Sequence, residues 1–340
     1  MATKAPYFPE VSFVTNNLQS DSLGEGVCVL LGAGRSGTTL LYKLLAMHRQ
    51  VAYISNYVQK APAMPWLALG NRLLHRWPMA KRRAWFLEEG GAYMNSKRVR
   101  AHALVPTPFE GEALYRYCGV PLTPAAGTEP DPLAVARLRG SFMMMRRCAG
   151  GATIMTKRTA NNRRVAWLDA AFPRARYIHL VRDGRAVAYS LLRVNWWDDH
   201  TLFWAGTTPK QLTAAGADPL ELASRNWVEE MSALENGIAA LDLRQVMLMR
   251  YEDLLVDPIG QVRAALDFIG VAMDSDVAFR PLLEGLNLSP RVESWTTRWT
   301  SRERDLVEGV QGSMLSRWGY GLETSSSHAT APATAIEGVA

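Results

Sequence analysis

Residues 32–39 read GAGRSGTT. Gly32, Gly37 and Thr39 fall where the phosphate-loop pattern G-x-x-x-x-G-K-[ST] places its glycines and its hydroxyl. The lysine position holds Thr38, and the positive charge stands three residues earlier, at Arg35. An apolar run, VCVLL (27–31), precedes the loop and a helical pattern, GTTLLYKLLAMH, follows it. Strand, glycine loop and helix N-terminus together make an anion site: backbone N–H groups point at the ligand and the helix dipole favours negative charge. Gly32, Gly34 and Gly37 let the backbone come close. Ser36, Thr38 and Thr39 add hydroxyls, and Arg35 adds a forked cation. In a lysine-bearing loop the lysine reaches the β/γ-phosphates and the next hydroxyl holds Mg²⁺. Here that lysine is missing and no downstream magnesium aspartate is evident, so ATP hydrolysis is not expected and no metal is required.

A second junction, YIHLVRDGRAVAYSLL, spans residues 177–192. Arg182 ends its apolar run and Ser190 follows eight residues later, about 12 Å along a helix. A long arginine can fold back over that turn, so that one phosphate meets both side chains. Alone, the segment also reads as a surface ion pair of Arg182 with Asp183 beside a helix-face serine. Together, the two junctions resemble the two signatures of sulfotransferases that use 3′-phosphoadenosine 5′-phosphosulfate (PAPS). The form R-S-G-T-T-L is more similar to the tyrosylprotein and bacterial enzymes than to the cytosolic aryl type, whose loop carries lysine at this position. TKRTANNRRVAWLDAAFPRARYIHLVRD is similar to the family's stretch of lysine, helix and FP-x-A. MRYEDLLVDP (249–258) resembles the segment that brings a tyrosine to the nucleotide. SPRVESWTTRWT resembles the basic segment that closes over the 3′-phosphate, without the family's R-K-G triplet; Arg291 or Arg298 is its substitute. The resemblance covers residues 27–60 and 150–320.

The resemblance implies in-line transfer of a sulfuryl group to an acceptor hydroxyl or amine, releasing adenosine 3′,5′-bisphosphate. It assigns Gly34, Ser36, Gly37, Thr38 and Thr39 to the 5′-phosphosulfate and Arg35 to that group and its bridging oxygen. Lys157 falls to the transferring sulfuryl group, Arg182 and Ser190 to the 3′-phosphate, and Tyr251 to the border of the adenine or phosphate. Such a reaction rests on positioning and charge stabilisation. The general base stays open. Aryl-type enzymes place a histidine two residues after the lysine, where this chain has Thr159. Tyrosylprotein-type enzymes place a glutamate in the neighbourhood that reads YISNY here, with Ser55 and Asn56. Glu110 and Glu112 in FEGEALYRY lead the candidates; His102 and the Asp198, Asp199 and His200 of WWDDH follow. His48 and His179 read as structural. Trp66, Trp85, Trp196, Trp197 and Trp204 suggest an aromatic pocket for a small, partly apolar acceptor. Two competing readings are a kinase or NTPase with a degenerate loop, against which Thr38 speaks, and a nucleotide- or nucleic-acid-binding protein without catalysis.

These residues need a frame to hold them. The 340-residue chain is 48% hydrophobic and 21% charged, ordinary globular material. A net charge of +6 suits an anionic ligand without demanding nucleic acid. Three cysteines are too few for a disulfide framework or a zinc cluster. The N-terminus has no apolar core of signal-peptide length and no run reaches the ~20 apolar residues of a membrane span. A soluble, cytoplasmic protein is expected; the oligomeric state is not legible. VCVLL, ATIM (152–155), RYIHLV (176–181) and QVMLM (245–249) lack alternation, as strands covered on both faces do. Asp218–Pro219 and Asp257–Pro258 each start a helix, and Gly270 stops the second. Alternating strands and helices predict an α/β fold, a phosphate-loop-like parallel sheet flanked by helices, its strand order unspecified. Between the first and second strands, residues 58–148 show only helical patterns and are expected to form a cap over the acceptor site. Residues 1–25 read as an arm, 26–323 as one domain and 324–340 as a disordered tail.

Overall fold

All four apolar runs are strands, and a fifth, shorter strand joins them. The computed structural model describes residues 26–86, 104–124, 129–286, 288 and 294–322; the expected arm and tail lie outside them. The strands are β1 (Val27–Leu31), β2 (Val51–Tyr53), β3 (Thr153–Lys157), β4 (Arg176–Val181) and β5 (Val246–Arg250). They form one parallel sheet in the order β2-β3-β1-β4-β5. The helix-rich insertion therefore sits between β2 and β3, not between the first two strands. β2 escapes a sequence reading because it has three residues and takes its register wholly from β3, about a hundred residues away.

The absence of alternation in the strands has the expected cause. Cys28 and Leu30 of β1 face a core built with helix α1 (Thr38–Ala46) and the helix Pro258–Phe268, through Leu41, Leu44, Val262 and Leu266. Val27, Val29 and Leu31 face the other layer, through Leu138, Phe142 and Leu168 of the helices Pro132–Ala149 and Val165–Ala171. The insertion's longest helix thus helps cover the sheet itself. A third cluster joins the helix Gly184–Leu191 to Trp227 of Pro219–Ile238, to Trp295 and Trp299, and to Leu315 of Ser301–Arg317. The caps are as read: Asp218 accepts from the N–H groups of Leu220 and Glu221 (2.7 and 3.3 Å), and Asp257 from that of Gly260 (2.9 Å). These bonds satisfy donors that a helix start leaves unpaired.

The strand order decides which residues meet. Each strand ends at the same edge of the sheet, so Lys157 (β3), the loop after β1, Arg182 after β4 and Tyr251 after β5 stand side by side in that sequence. β1 is the point from which the chain runs to one side and then to the other, and open α/β sheets bind ligands at the carboxyl ends of such strands.

His179, inside β4, is wholly buried against Trp318, with its ring nitrogens unbonded among the described residues. Burial lowers its pKa to about 3 from an ordinary 6.5. Between those values the unfolded chain takes up a proton that the folded chain refuses, so stability is complete above 6.5 and is lost as the pH falls. Urea unfolding at pH 7 and pH 5 should show the wild type losing about 2 kcal/mol more than His179→Leu. Equal losses would show that the ring is protonated in place.

Candidate active site

The loop after β1 is shaped by its glycines. Gly37 has φ 91°, and a Cβ there would collide with the ring of Tyr251, so only glycine lets that ring lie against the start of α1. Gly34 has open space around it, leaving its backbone approachable. Arg35 takes φ 71°, a left-handed conformation uncommon for a residue with a side chain. Ser36 is buried, its hydroxyl donating to Ala33 O at 2.7 Å. Thr38 and Thr39 open α1, whose first N–H groups face the site.

On one side stands Lys157. Its Nζ donates to Glu110 Oε1 at 2.5 Å and to Thr39 Oγ1 at 3.3 Å. Glu110, 36% exposed, also accepts from Arg158 Nη1 at 2.7 Å. It reaches this place because the chain at 107–109 runs antiparallel to residues 54–56, just past β2, with Phe109 N donating to Ile54 O. Burial pushes the Glu110 carboxyl up, but Lys157 and then Arg158 outweigh it and hold it below the ordinary carboxylate value. Glu112 differs. It is clasped by both terminal nitrogens of the fully buried Arg164 (3.1 and 3.0 Å) and lies 3.1 Å from Arg158 Nε. That geometry anchors the helix Glu112–Cys118; of the two carboxylates it is Glu110 that reaches the lysine, which in turn bonds to Thr39 of the loop.

On the other side stand Arg182, Ser190 and Tyr251. Arg182 Nη1 donates to Arg35 O at 3.2 Å and its guanidinium lies 4.4 Å from the centre of the Tyr251 ring. Arg35 Nε donates to Ser190 Oγ at 2.9 Å. Arg35 thus takes the serine, and Arg182 takes Arg35's backbone. The reason is Tyr251, which provides a flat face that draws the Arg182 guanidinium towards the loop. The side chain expected at the bridging oxygen is held beside Ser190. Asp183 caps the helix Gly184–Leu191 by accepting from Arg185 N at 2.9 Å. Arg185 pairs with Asp183 and with Glu308. Gly184 leaves no room for a Cβ between Trp227 and Gln311.

The segment RTANNRR contributes more than sequence reasoning found in it. Asn162 accepts from Gly32 N (3.2 Å) and donates to Gly32 O (3.1 Å), so its amide clamps the first residue of the loop. Glu230 holds that amide (2.8 Å) and is held by Arg163 (2.9 Å). Arg158, Arg163 and Arg164 each find a carboxylate. The dense run of Asn and Arg directly after a strand was the available signal.

The remaining candidates divide. His200 lies against Trp196 and Trp197 and within electrostatic reach of Arg158, Arg163 and Glu110; burial, then the two arginines, lower its pKa. Asp198 and Asp199 are exposed beside it. His48 is buried behind α1, accepting from Gln50 N. Trp85 belongs to the core, with its indole on Pro106 O and its ring edge-on to Tyr53. Trp66 is half exposed on the insertion's surface. Arg298 is exposed on the helix Ser294–Arg298, whose neighbour Trp299 packs on Tyr189, one residue before Ser190. Arg291 and His102 lie outside the described residues.

With this geometry in place, comparison with known proteins gives matches of three kinds. A sequence profile described as "Sulfotransferase family" matches residues 28–275. The omega-hydroxy-beta-dihydromenaquinone-9 sulfotransferases Stf3 of Mycobacterium bovis and Mycobacterium tuberculosis are each 26% identical over 172 residues, 51% of this chain and 42% of theirs. This chain therefore matches less than half the length of those relatives. The crystal structure of sulfotransferase STF9 from Mycobacterium avium superposes with a TM-score of 0.56 at 16% identity, covering 89% of this chain and 79% of that one, which speaks for the fold.

Proposed function

The chain belongs to the sulfotransferase family, and from that premise we propose that it moves the sulfuryl group of PAPS to a hydroxyl or amine of a small, partly apolar acceptor. The observation that carries this reading is the row at the carboxyl edge of the sheet: Lys157, the loop 32–39, then Arg182 with Tyr251, and Arg35 bonded to Ser190. Cations stand on both sides of one backbone anion site. A phosphosulfate and a 3′-phosphate on a single adenosine match that donor set. The open backbone at Gly34 and the clamped Gly32 fit the phosphosulfate; Arg182, Arg35 and Ser190 fit the 3′-phosphate. PAPS supplies the activated sulfuryl group, and the chain supplies grip, charge and a proton acceptor.

In this reading Lys157 turns from Glu110 to the transferring sulfuryl group and its bridging oxygen, where negative charge gathers as the S–O bond to phosphate breaks. Glu110, ionised at neutral pH, takes the acceptor proton as the new O–S or N–S bond forms. Its basicity rises once Lys157 leaves it, because burial then acts against less opposing charge. The names of the mycobacterial relatives, which specify a dihydromenaquinone acceptor for those proteins, support an apolar acceptor here.

Titration calorimetry tests the donor: adenosine 3′,5′-bisphosphate binds and ATP–Mg does not, and the reverse result returns the kinase reading. Turnover with PAPS and a panel of hydroxylated acceptors tests the reaction. Glu110→Gln is expected to lower kcat about 100-fold while changing donor affinity less than about threefold. Full activity in that variant would pass the role to His200.

A further inference from the structure

Six large apolar side chains within residues 64–79 stand in solvent: Met64, Trp66, Leu69, Leu73, Trp77 and Met79, each 45–60% exposed. They follow one another along the short turn Pro65–Ala68, the helix Leu69–Leu74 and the start of Pro78–Trp85. The step from Leu69 to Leu73 is four residues, which sets both on one face of the helix, and Trp66 and Trp77 stand exposed in the turns on either side of it. Ala68, Asn71 and Leu74 occupy the opposite, buried face. Scattered exposed apolar residues are ordinary; a row of this kind marks a contact surface.

Charge identifies what it contacts. From residue 57 to 87 the sequence contains no Asp or Glu, while Lys60, Arg72, Arg76 and Arg83 are exposed. A second copy of the chain meeting this face symmetrically would set those cations against their own kind. Tryptophan, methionine and leucine flanked by long basic side chains suit the boundary between anionic headgroups and acyl chains, where the rings bury and the cations stay at headgroup level. Among the described residues no helix is long and apolar enough to cross a membrane, so the contact is with a surface.

The face is joined to the active site. Asn71 Nδ2 donates to Tyr53 O at 2.9 Å, and Gly70 lies against Pro106. From Pro106, two residues after exposed Leu104, the chain passes exposed Phe109 and arrives at Glu110. We propose that the 64–79 face seats on an anionic lipid surface and so presents the Glu110 side of the site to an apolar acceptor held in the bilayer. The second clause rests on the sulfuryl-transfer reading; the first does not.

The test is sedimentation of the full chain with vesicles of phosphatidylcholine alone and of phosphatidylcholine with about one-third phosphatidylglycerol. Binding to the anionic vesicles is expected, weakening with salt. Leu73→Ser with Trp77→Ser should lower the partition coefficient about tenfold, and Arg72→Gln with Arg76→Gln should lower it and flatten its salt dependence. Unchanged affinity for adenosine 3′,5′-bisphosphate would show that these variants fold. The proposal is overturned by absence of vesicle binding, by binding that Leu73→Ser/Trp77→Ser leaves intact, or by a concentration-dependent dimer that the same pair abolishes. Vesicle binding is read without donor or turnover, so a protein that binds vesicles and transfers no sulfuryl group would count against the reaction alone.

Discussion

In Arg182→Ala the KM for PAPS rises about 100-fold, while kcat at saturating donor changes much less. Removing one charged partner of a phosphate costs about 3 kcal/mol when the group is partly buried, and that is about a hundredfold in affinity. Arg182 is such a group: half-buried, laid on the Tyr251 ring at 4.4 Å and tied to Arg35 O at 3.2 Å. The second contact means that the substitution also loosens the loop. Adenosine 5′-phosphosulfate, which lacks the 3′-phosphate, separates the two effects. Loosening weakens both donors alike, whereas loss of the 3′-phosphate partner weakens PAPS alone, so the discrimination between them should fall by most of the hundredfold. Arg182→Lys keeps the charge but loses the fork and the flat stacking face, and should fall between. A PAPS KM that stays at its wild-type value would place the 3′-phosphate elsewhere.

The sequence carried the local half of this site and not the relational half. Gly37 was legible as a loop glycine, yet its reason, the Tyr251 ring packed on it, belongs to a residue more than two hundred positions away. β1, β3 and β4 announced themselves because burial on both faces makes unbroken apolar runs, and β5, a partly buried edge strand, did so by its apolar composition. β2 did not, since three residues carry no pattern and its partner β3 supplies the register. The order of strands, on which the whole row depends, is set by how helices pack across the sheet, and no single segment encodes that. Side-chain directions were the least legible. Spacing put Ser190 two turns beyond Arg182; only the folded chain shows Arg35 bonded to that serine. Glu110 and Glu112 were equivalent in sequence and became distinct when Arg164 claimed the second. Asn162 went unread because an asparagine that bonds to backbone has no recognisable partner in sequence.

Lys157→Met should lower kcat about 1000-fold, the scale lost when a preorganised donor to developing charge is removed, with donor affinity reduced far less. The methionine fills similar volume, and Glu110 keeps Arg158 as a partner at 2.7 Å, so the fold should be retained. A merely structural lysine would instead show its loss as a lower unfolding midpoint with kcat largely kept. The pH profile gives an independent reading. In the wild type the Glu110 carboxyl is pushed up by burial and pulled further down by Lys157 and Arg158, ending below its ordinary value. Deleting Lys157 removes the larger of the two opposing attractions, so the carboxyl pKa must rise. If ionised Glu110 is the proton acceptor, the acid limb of kcat/KM then moves to higher pH in Lys157→Met, and Lys157→Met/Glu110→Gln loses that limb. Because the two side chains bond to each other, their effects should not add: the double variant should be little worse than Lys157→Met alone. Strict additivity, with an acid limb that stays in place, would separate the lysine from the carboxylate and leave the proton to another base.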